Sequence, residues 1–422
     1  MKLKLIVPVA VKQKSLARYF SIPPLNLLYV AAVTPKDVEI ALVDEHVDEI
    51  DFEEEIDLVG ITALTATAPR AYEIGDEFKK RGVKVVLGGI HPSLLPEEAI
   101  QHADAVVVGE AENLWPQLIE DFKRGELKRF YQSSQKPSLE NLPFPRRDLL
   151  QGKRYLTKNF IQVTRGCPFD CDFCSVSRFF GKKHRFRPVG DVIKEIENLK
   201  GKFTVFADDN IVAHPRYAKE LFKALIPYKK RWFSQAALTM NDDDELLRLA
   251  AQSGCEGVYI GFESLSDIGL KKLKKYTDFK EAIHKLKSYG IRVEGSFIFG
   301  FDSDDKTVFE KTLKFTQDIK LDAATFHLLT PLPGTKLYEK LERENRIIKR
   351  DWSKYDFSTV VFEPKQMTME ELQEGIHWTM KEFYSLSSIT RRLFPPPFKT
   401  LSHMIGYNLV RKSNLLKVHL KR

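Results

Sequence analysis

The stretch Thr164-Arg165-Gly166-Cys167-Pro168-Phe169-Asp170-Cys171-Asp172-Phe173-Cys174 places three of the chain's four cysteines within eight positions, spaced C-x3-C-x2-C. Thiolates are the protein ligands of iron–sulfur clusters, and a cubic [4Fe-4S] cluster has four irons to ligate. Three protein ligands leave one iron open, and an open iron is where a substrate or cosubstrate binds. Two plainer readings compete, a structural zinc knot and three incidental thiols. Zinc takes four protein ligands, usually from two paired motifs. The remaining cysteine, in Ser253-Gly254-Cys255-Glu256-Gly257, stands alone before an apolar run and reads as a small buried residue. The spacing therefore favours a cluster that does chemistry.

Working outward, the motif follows a short β run, Phe160 to Thr164, and further strand candidates recur at Thr204 to Ala207, Phe233 to Ala237, Gly257 to Gly261, Arg292 to Phe299 and Ala323 to Leu329. Helical segments such as Val189 to Leu199 and Phe279 to Tyr289 fall between them. Six strand–helix units over residues 156–337 predict a partial (β/α)6 barrel with parallel strands, whose functional groups lie at the carboxyl ends of the strands. Those ends carry Asp208, Asp209 and Asn210, Gln235, Glu263, Gly300, and Leu332 in a Thr330-Pro331-Leu332-Pro333-Gly334 turn. An Asp or Asn after a strand also serves as an ordinary helix cap. Gln235, read as buried within its strand, needs a partner for its amide.

Residues 1–130 alternate β runs (Leu3–Val9, Val38–Val43, Leu58–Ala63, Val83–Leu87, Ala105–Val108) with helical stretches, which predicts a doubly wound parallel sheet. A ligand of such a sheet sits beyond the carboxyl ends of its strands. There stand Thr62-Ala63-Leu64-Thr65, then Gly88-Gly89-Ile90-His91-Pro92, then Gly109-Glu110-Ala111-Glu112. Paired glycines admit a ligand close to the backbone, and small side chains leave room for a flat, bulky molecule. Any one of these loops alone would be an ordinary tight turn. Residues 131–155 hold Pro137, Pro143 and Pro145 and read as an extended linker.

Composition excludes several classes. The chain has 422 residues, 43% of them apolar, without a low-complexity tract or an apolar run long enough to span a bilayer. The few cysteines suggest no disulfide framework and fit a reducing cytoplasm. Net charge is +8, yet the eight basic residues after Phe383 (Arg391, Arg392, Lys399, Arg411, Lys412, Lys417, Lys421 and Arg422) account for all of it. A neutral body argues against a nucleic-acid-coating surface. Residues 338–422 read as a helical carboxyl-terminal region, in which Trp352, Tyr355 and Phe357 could cover the open barrel. The apolar and cationic tail suits either peripheral contact with an anionic membrane or a terminal helix docked on the protein.

The C-x3-C-x-aromatic-C motif, with Phe173 before the last cysteine, resembles the radical S-adenosylmethionine (SAM) enzymes. In them Cys167, Cys171 and Cys174 would ligate the [4Fe-4S] cluster, and the open iron would chelate SAM. The order and spacing of Gly-Gly-x-His-Pro and Gly-Glu-x-Glu resemble the amino-terminal cobalamin-binding domain of one large subclass, which usually has glycine at the Asn26 position. That resemblance implies that Thr62, Ala63, Leu64, Thr65, Gly88, Gly89, His91, Pro92, Gly109, Glu110 and Glu112 meet cobalamin. It implies that Phe173, Asp208, Asp209, Gln235, Glu263, Gly300 and Leu332 face SAM or substrate, with Glu263 on the ribose hydroxyls. Asp44-Glu45-His46 copies only half of the motif that gives other cobalamin proteins a histidine ligand to cobalt, so His46 is expected to be a solvated loop residue. The implied activity is methylation of an unactivated sp3 carbon through a 5'-deoxyadenosyl radical and methylcobalamin, with a flavodoxin or ferredoxin as electron donor. Substrates in the family range from small molecules to lipids. Cyclisation or rearrangement without methyl transfer is the nearer alternative, and a noncatalytic cobalamin or iron–sulfur sensor the more distant one. A methylthio-transferring enzyme fits poorly, because residues 1–166 contain no cysteine.

Overall fold

The structure, a computed structural model, describes residues 1–10, 22–265, 279–394 and 404–412. The chain divides into two compact units, one of Met1–Lys200 with Pro331–Arg343 and Arg350–Asp356, the other of Gly201–Thr330 with Glu344–Lys349 and Phe357–Arg422.

The first unit is built on a six-stranded parallel sheet of order β2-β1-β3-β4-β5-β6. Its strands are β1 (Lys2–Val7), β2 (Glu39–Asp44), β3 (Leu58–Thr62), β4 (Lys84–Gly88), β5 (Ala105–Val108) and β6 (Phe130–Gln132). Near-continuous apolar runs make β3 and β5 buried on both faces, as parallel strands between helices must be. One face packs Leu27, Leu28, Trp115 and Leu118; the other packs Ala71, Ile74 and Phe78. The strand order reverses between β1 and β3, the place where a doubly wound sheet opens a crevice for a ligand.

The expected extended linker is instead packed on this unit. β6 joins the sheet, a 3-10 turn spans Arg147–Leu150, and Leu150 is fully buried. Tyr155 donates its hydroxyl to Asp44 at 3.1 Å. Beyond it come β7 (Phe160–Ile161), then β8 (Thr164–Arg165) paired antiparallel with β9 (Arg185–Phe186).

The second unit holds five parallel strands in the order β14-β13-β12-β11-β10. These are β10 (Phe203–Phe206), β11 (Arg231–Gln235), β12 (Cys255–Glu263), β13 (Arg292–Phe299) and β14 (Ala323–Leu328). Their alternation sets one face against helices: Trp232 stacks on Phe222, Phe262 and Phe297 meet Phe315, and Phe326 meets Phe383. The helix Met369–Phe383 starts at a reciprocal cap, in which Glu371 N donates to Thr368 Oγ1 and Thr368 N donates to the Glu371 carboxylate.

The described part of the basic tail docks on this unit. Arg392 is 2% exposed and lies 3.7 Å from the Phe383 ring centroid. It donates to the Leu321, Asp322 and Phe383 carbonyls and to Asn408 Oδ1. Arg391 donates to Gln317, and Arg411 pairs with Glu294 at 3.4 Å. Lys399, Lys417, Lys421 and Arg422 lie outside the described residues.

Candidate active site

In the first unit, the β8–β9 ribbon fixes the start of the cysteine loop. Gly166 has φ +86°, and a Cβ there would lie 2.4 Å from the Lys183 carbonyl oxygen, so only glycine fits the turn into Cys167. Cys167 N donates to the Gly181 carbonyl and Cys174 N to the Cys171 carbonyl, while all three cysteines stay partly exposed, as does Phe173. Asp170 bridges Lys182 at 2.7 Å and Lys336 at 2.8 Å, and hydrogen bonds from these two ammonium groups pull its carboxyl down to about 2. Leu337 N donates to the Asp172 carbonyl. No group of three or more histidine, cysteine or carboxylate ligands stands ready-made among the described residues. The fit to a cluster therefore rests on the donor chemistry of this loop, three thiols on one short turn.

The residue before Gly166 joins this loop to the sheet. Arg165 Nη1 lies 2.8 Å from Glu110 Oε2 and 2.6 Å from Glu112 Oε1, and Arg185 Nη2 lies 2.7 Å from Glu110 Oε1. Burial opposes the Arg165 charge, but the Glu112 and Glu110 carboxylates outweigh it and raise its pKa. The loop after β5 thus spends both carboxylates on the two arginines that flank the cysteine loop.

The other loops at the sheet's carboxyl edge form a cradle. Gly89 has φ +96°, and a Cβ there would sit 2.8 Å from both the Ala63 carbonyl oxygen and Thr62 Oγ1. Thr62 Oγ1 accepts from Asn26 Nδ2 at 2.9 Å, and Leu64 projects outward, 58% exposed. Gly88 O accepts from Ala63 N. Gly109, at φ +92°, donates to Ser93 Oγ. A cavity of about 350 Å³ at this edge is lined by Ser93, Gly109, Ser133, Lys136, Arg178 and Phe179. His91 and Pro92 are buried beneath the surface. His91 Nε2 lies 3.3 Å from Glu98, which also accepts from Tyr72 and Trp352, and Thr65 Oγ1 lies 3.4 Å from Nδ1. Burial alone would raise the Glu98 pKa; the hydrogen bonds from His91, Tyr72 and Trp352 hold it below its ordinary value. Trp352, expected over the barrel, is used here in the first unit. His46 is also held, with Nδ1 2.7 Å from Asp44 on β2, and is less solvated than its loop position suggested.

At the strand ends of the second unit, Asp208 is fully buried, while Asp209 keeps some exposure and burial raises its carboxyl to about 6. Asn210 Oδ1 accepts from Ala237 N, which gives it a structural task. Gln235 ends β11 and is exposed, where the sequence suggested a buried amide. Glu263 lies at an irregularity in the β12–β13 register with φ +62°, a left-handed conformation that costs energy for a side chain other than glycine and clusters at functional sites. A Cβ on Gly261 would meet its carboxylate at 2.5 Å. Gly300, at φ +110°, packs toward Leu372 and Phe362, and its N–H donates to Asp304. Leu332, in the first unit, accepts from Thr335 through its carbonyl, closing the proline turn.

Comparison with known proteins matches residues 161–316 to the radical SAM superfamily, 16–119 to the B12 binding domain and 335–405 to a domain of unknown function (DUF4070). Bacteriochlorophyllide d C-12(1)-methyltransferase of Chlorobaculum tepidum is 34% identical over 391 residues, covering 89% of this chain and 85% of the relative. The chain belongs to the cobalamin-binding radical SAM enzymes. Bacteriochlorophyllide d C-8(2)-methyltransferase of the same organism is 30% identical, covering 88% of each chain. The structure of the radical SAM methyltransferase TsrM from Kitasatospora setae, with cobalamin and [4Fe-4S] cluster, aligns over 99% of both chains with a TM-score of 0.71 at 15% identity, a likeness of fold.

A cobalamin-binding radical SAM enzyme uses a [4Fe-4S] cluster, SAM and cobalamin. The residues at this edge are compatible with a corrinoid: Gly88, Gly89 and Gly109 carry no side chain there, and Leu64 offers an exposed apolar one. Sequence reading missed Arg165 and Arg185, whose partners lie more than fifty residues away. It also missed Lys136 and Arg178 of the cavity. No motif announces such residues.

Proposed function

We propose that this protein transfers a methyl group to a carbon atom of its substrate. When bound, the cluster, SAM and cobalamin supply the radical and the methyl group. In this reading Cys167, Cys171 and Cys174 hold the cluster, while Glu110, Glu112, Arg165 and Arg185 hold their loop. Thr62, Ala63, Leu64, Gly88, Gly89 and Gly109 seat the corrinoid, and Asp209, Gln235 and Glu263 meet SAM or substrate. The carrying observation is the direct bonding of the corrin-edge loop, through Glu110 and Glu112, to the arginine two residues before Cys167. Such a tie suits chemistry that needs both cofactors in register.

The relatives named for bacteriochlorophyllide d support a large, ring-shaped, mainly apolar substrate. A flavodoxin or ferredoxin is the proposed reductant. In domain terms the reading assigns cobalamin to 1–130 and SAM to 156–337, with 131–155 joining them and 338–422 completing the fold. No helix among the described residues is long and apolar enough to cross a membrane. Three of the eight tail cations are engaged on the protein, which favours docking over peripheral membrane contact.

The test is SAM carrying an isotopically labelled methyl group, incubated anaerobically with reductant, reconstituted enzyme and bacteriochlorophyllide d. The reading expects the label in the product with 5'-deoxyadenosine formed alongside. Consumption of substrate without label would favour cyclisation or rearrangement.

A further inference from the structure

The face of the second sheet opposite its helices carries polar side chains that the assignments above leave unused. Because Ile260, Phe262, Phe297 and Phe326 turn to the helix side, Tyr259, Ser296, Thr325 and His327 occupy the other face. Strand register sets Tyr259 beside Gln235 and Glu294, and Ser296 beside Thr325. The Tyr259 hydroxyl lies 2.5 Å from Thr325 Oγ1 and 3.3 Å from His327 Nε2. Among the described residues His327 Nδ1 has no hydrogen-bond partner.

Below them the terminal helix, 404–412, supplies a floor. Tyr407 donates to Glu294 Oε1 at 3.0 Å and Arg411 Nη2 donates to Tyr407 at 2.7 Å. Closed barrels fill interior positions with branched apolar side chains. Here the same positions hold a phenol, hydroxyls and an imidazole. Burial, assisted by the Arg411 charge, pulls His327 down to about 4, so its ring is neutral at physiological pH. Arg411 is already matched by Glu294 and Tyr407. An anionic oxygen would therefore lose its water without meeting a free counter-ion, whereas a neutral oxygen would find hydrogen-bonding partners.

We propose that Tyr259, Thr325 and His327 form a recognition site for an uncharged hydrogen-bonding oxygen of the substrate, a carbonyl or hydroxyl. The site rests on the reading that the protein modifies an organic substrate held by its barrel. It fixes which part of that substrate is gripped.

The experiment compares wild-type holoenzyme with Tyr259→Phe, Thr325→Val and His327→Leu, singly and together. Binding of bacteriochlorophyllide d is followed by its absorbance, SAM affinity is measured in parallel, and thermal midpoints are recorded. Expected is a loss of probe affinity of about tenfold or more per variant. SAM affinity should move less than about twofold, and the midpoint should hold or rise, since recognition sites trade stability for function. A fall in midpoint with unchanged probe affinity overturns the proposal in favour of a structural network. A loss confined to SAM assigns the cluster to the cosubstrate and overturns it too. Wild type that binds the probe no better than the triple variant also overturns it; labelled-methyl transfer by the same sample reports separately on the methyltransferase reading.

Discussion

Replacing Glu110 with alanine removes an acceptor whose side chain is 1% exposed and which faces two guanidinium groups, Arg165 at 2.8 Å and Arg185 at 2.7 Å. Removing one partner of a buried ion pair costs about 3–5 kcal/mol, because the charge left behind is desolvated and unmatched. Arg165 keeps Glu112 at 2.6 Å, and Arg185 keeps the Pro137 carbonyl at 2.7 Å, so the lower end applies. For a unit of this size about 3 kcal/mol corresponds to a fall in thermal midpoint of roughly 6–12 °C. Glu110→Gln keeps one oxygen but turns an amide toward a cation, and should lose about half as much. Calorimetry of the apo protein reads the fall directly. Because β8 leads through Gly166 into Cys167, iron retained after anaerobic reconstitution should decline in the same order, alanine below glutamine below wild type. A Glu110→Ala protein that melts within a degree of wild type and loads iron normally would refute the coupling of the sheet edge to the cysteine loop.

Gly89→Ala should weaken cobalamin retention at least about tenfold while leaving iron loading intact, because its Cβ would collide with Ala63 and Thr62 at a positive φ that itself costs about 1–3 kcal/mol; corrinoid absorbance after gel filtration checks this. Arg392→Ala should cost about 3 kcal/mol by stranding several carbonyls, without altering co-sedimentation with anionic vesicles. The folded His327 pKa lies below its unfolded value, so its contribution is complete above pH 6.5 and is lost as pH falls toward about 4, up to roughly 3 kcal/mol. The groups against it are Tyr259, the Phe357 ring and the Arg411 charge. Asp209, raised to about 6 by burial, acts oppositely: its contribution is complete below pH 3.8 and is lost as pH rises through 6. Denaturation midpoints of His327→Asn and Asp209→Asn across this window should therefore deviate from wild type with opposite slopes.

Most parallel strands were legible because they are short apolar runs bounded by turn residues; β5 is the same, residue for residue, in sequence and structure. β6 escaped notice because three residues, Phe130 to Gln132, carry too little periodicity to distinguish a strand from a linker. The prolines of 131–155 agree with the absence of an α-helix there, though a 3-10 turn forms at Arg147–Leu150; proline content says nothing of whether an extended segment docks, which Leu150 and Tyr155 do through their own packing. The cysteine loop was legible since its three thiols are neighbours in sequence. Glu110 and Glu112 were singled out with the right loops, yet their partners were not, since charge pairing over such separations leaves no local pattern. Alternation in β12 to β14 did contain the polar face of Tyr259, Thr325 and His327, but which face is open depends on the helices. The tail divided evenly between membrane and protein by composition; Arg392 and Asn408 show the described part docked, a choice made by tertiary packing.

The most direct test of the account is metal and corrinoid analysis of protein purified without oxygen in the presence of cobalamin. The account predicts iron and sulfide sufficient for one [4Fe-4S] cluster and a stoichiometric corrinoid, with the iron lost and the corrinoid kept in Cys171→Ala. Zinc in place of iron, or a cluster-bearing protein that retains no corrinoid, would contradict it.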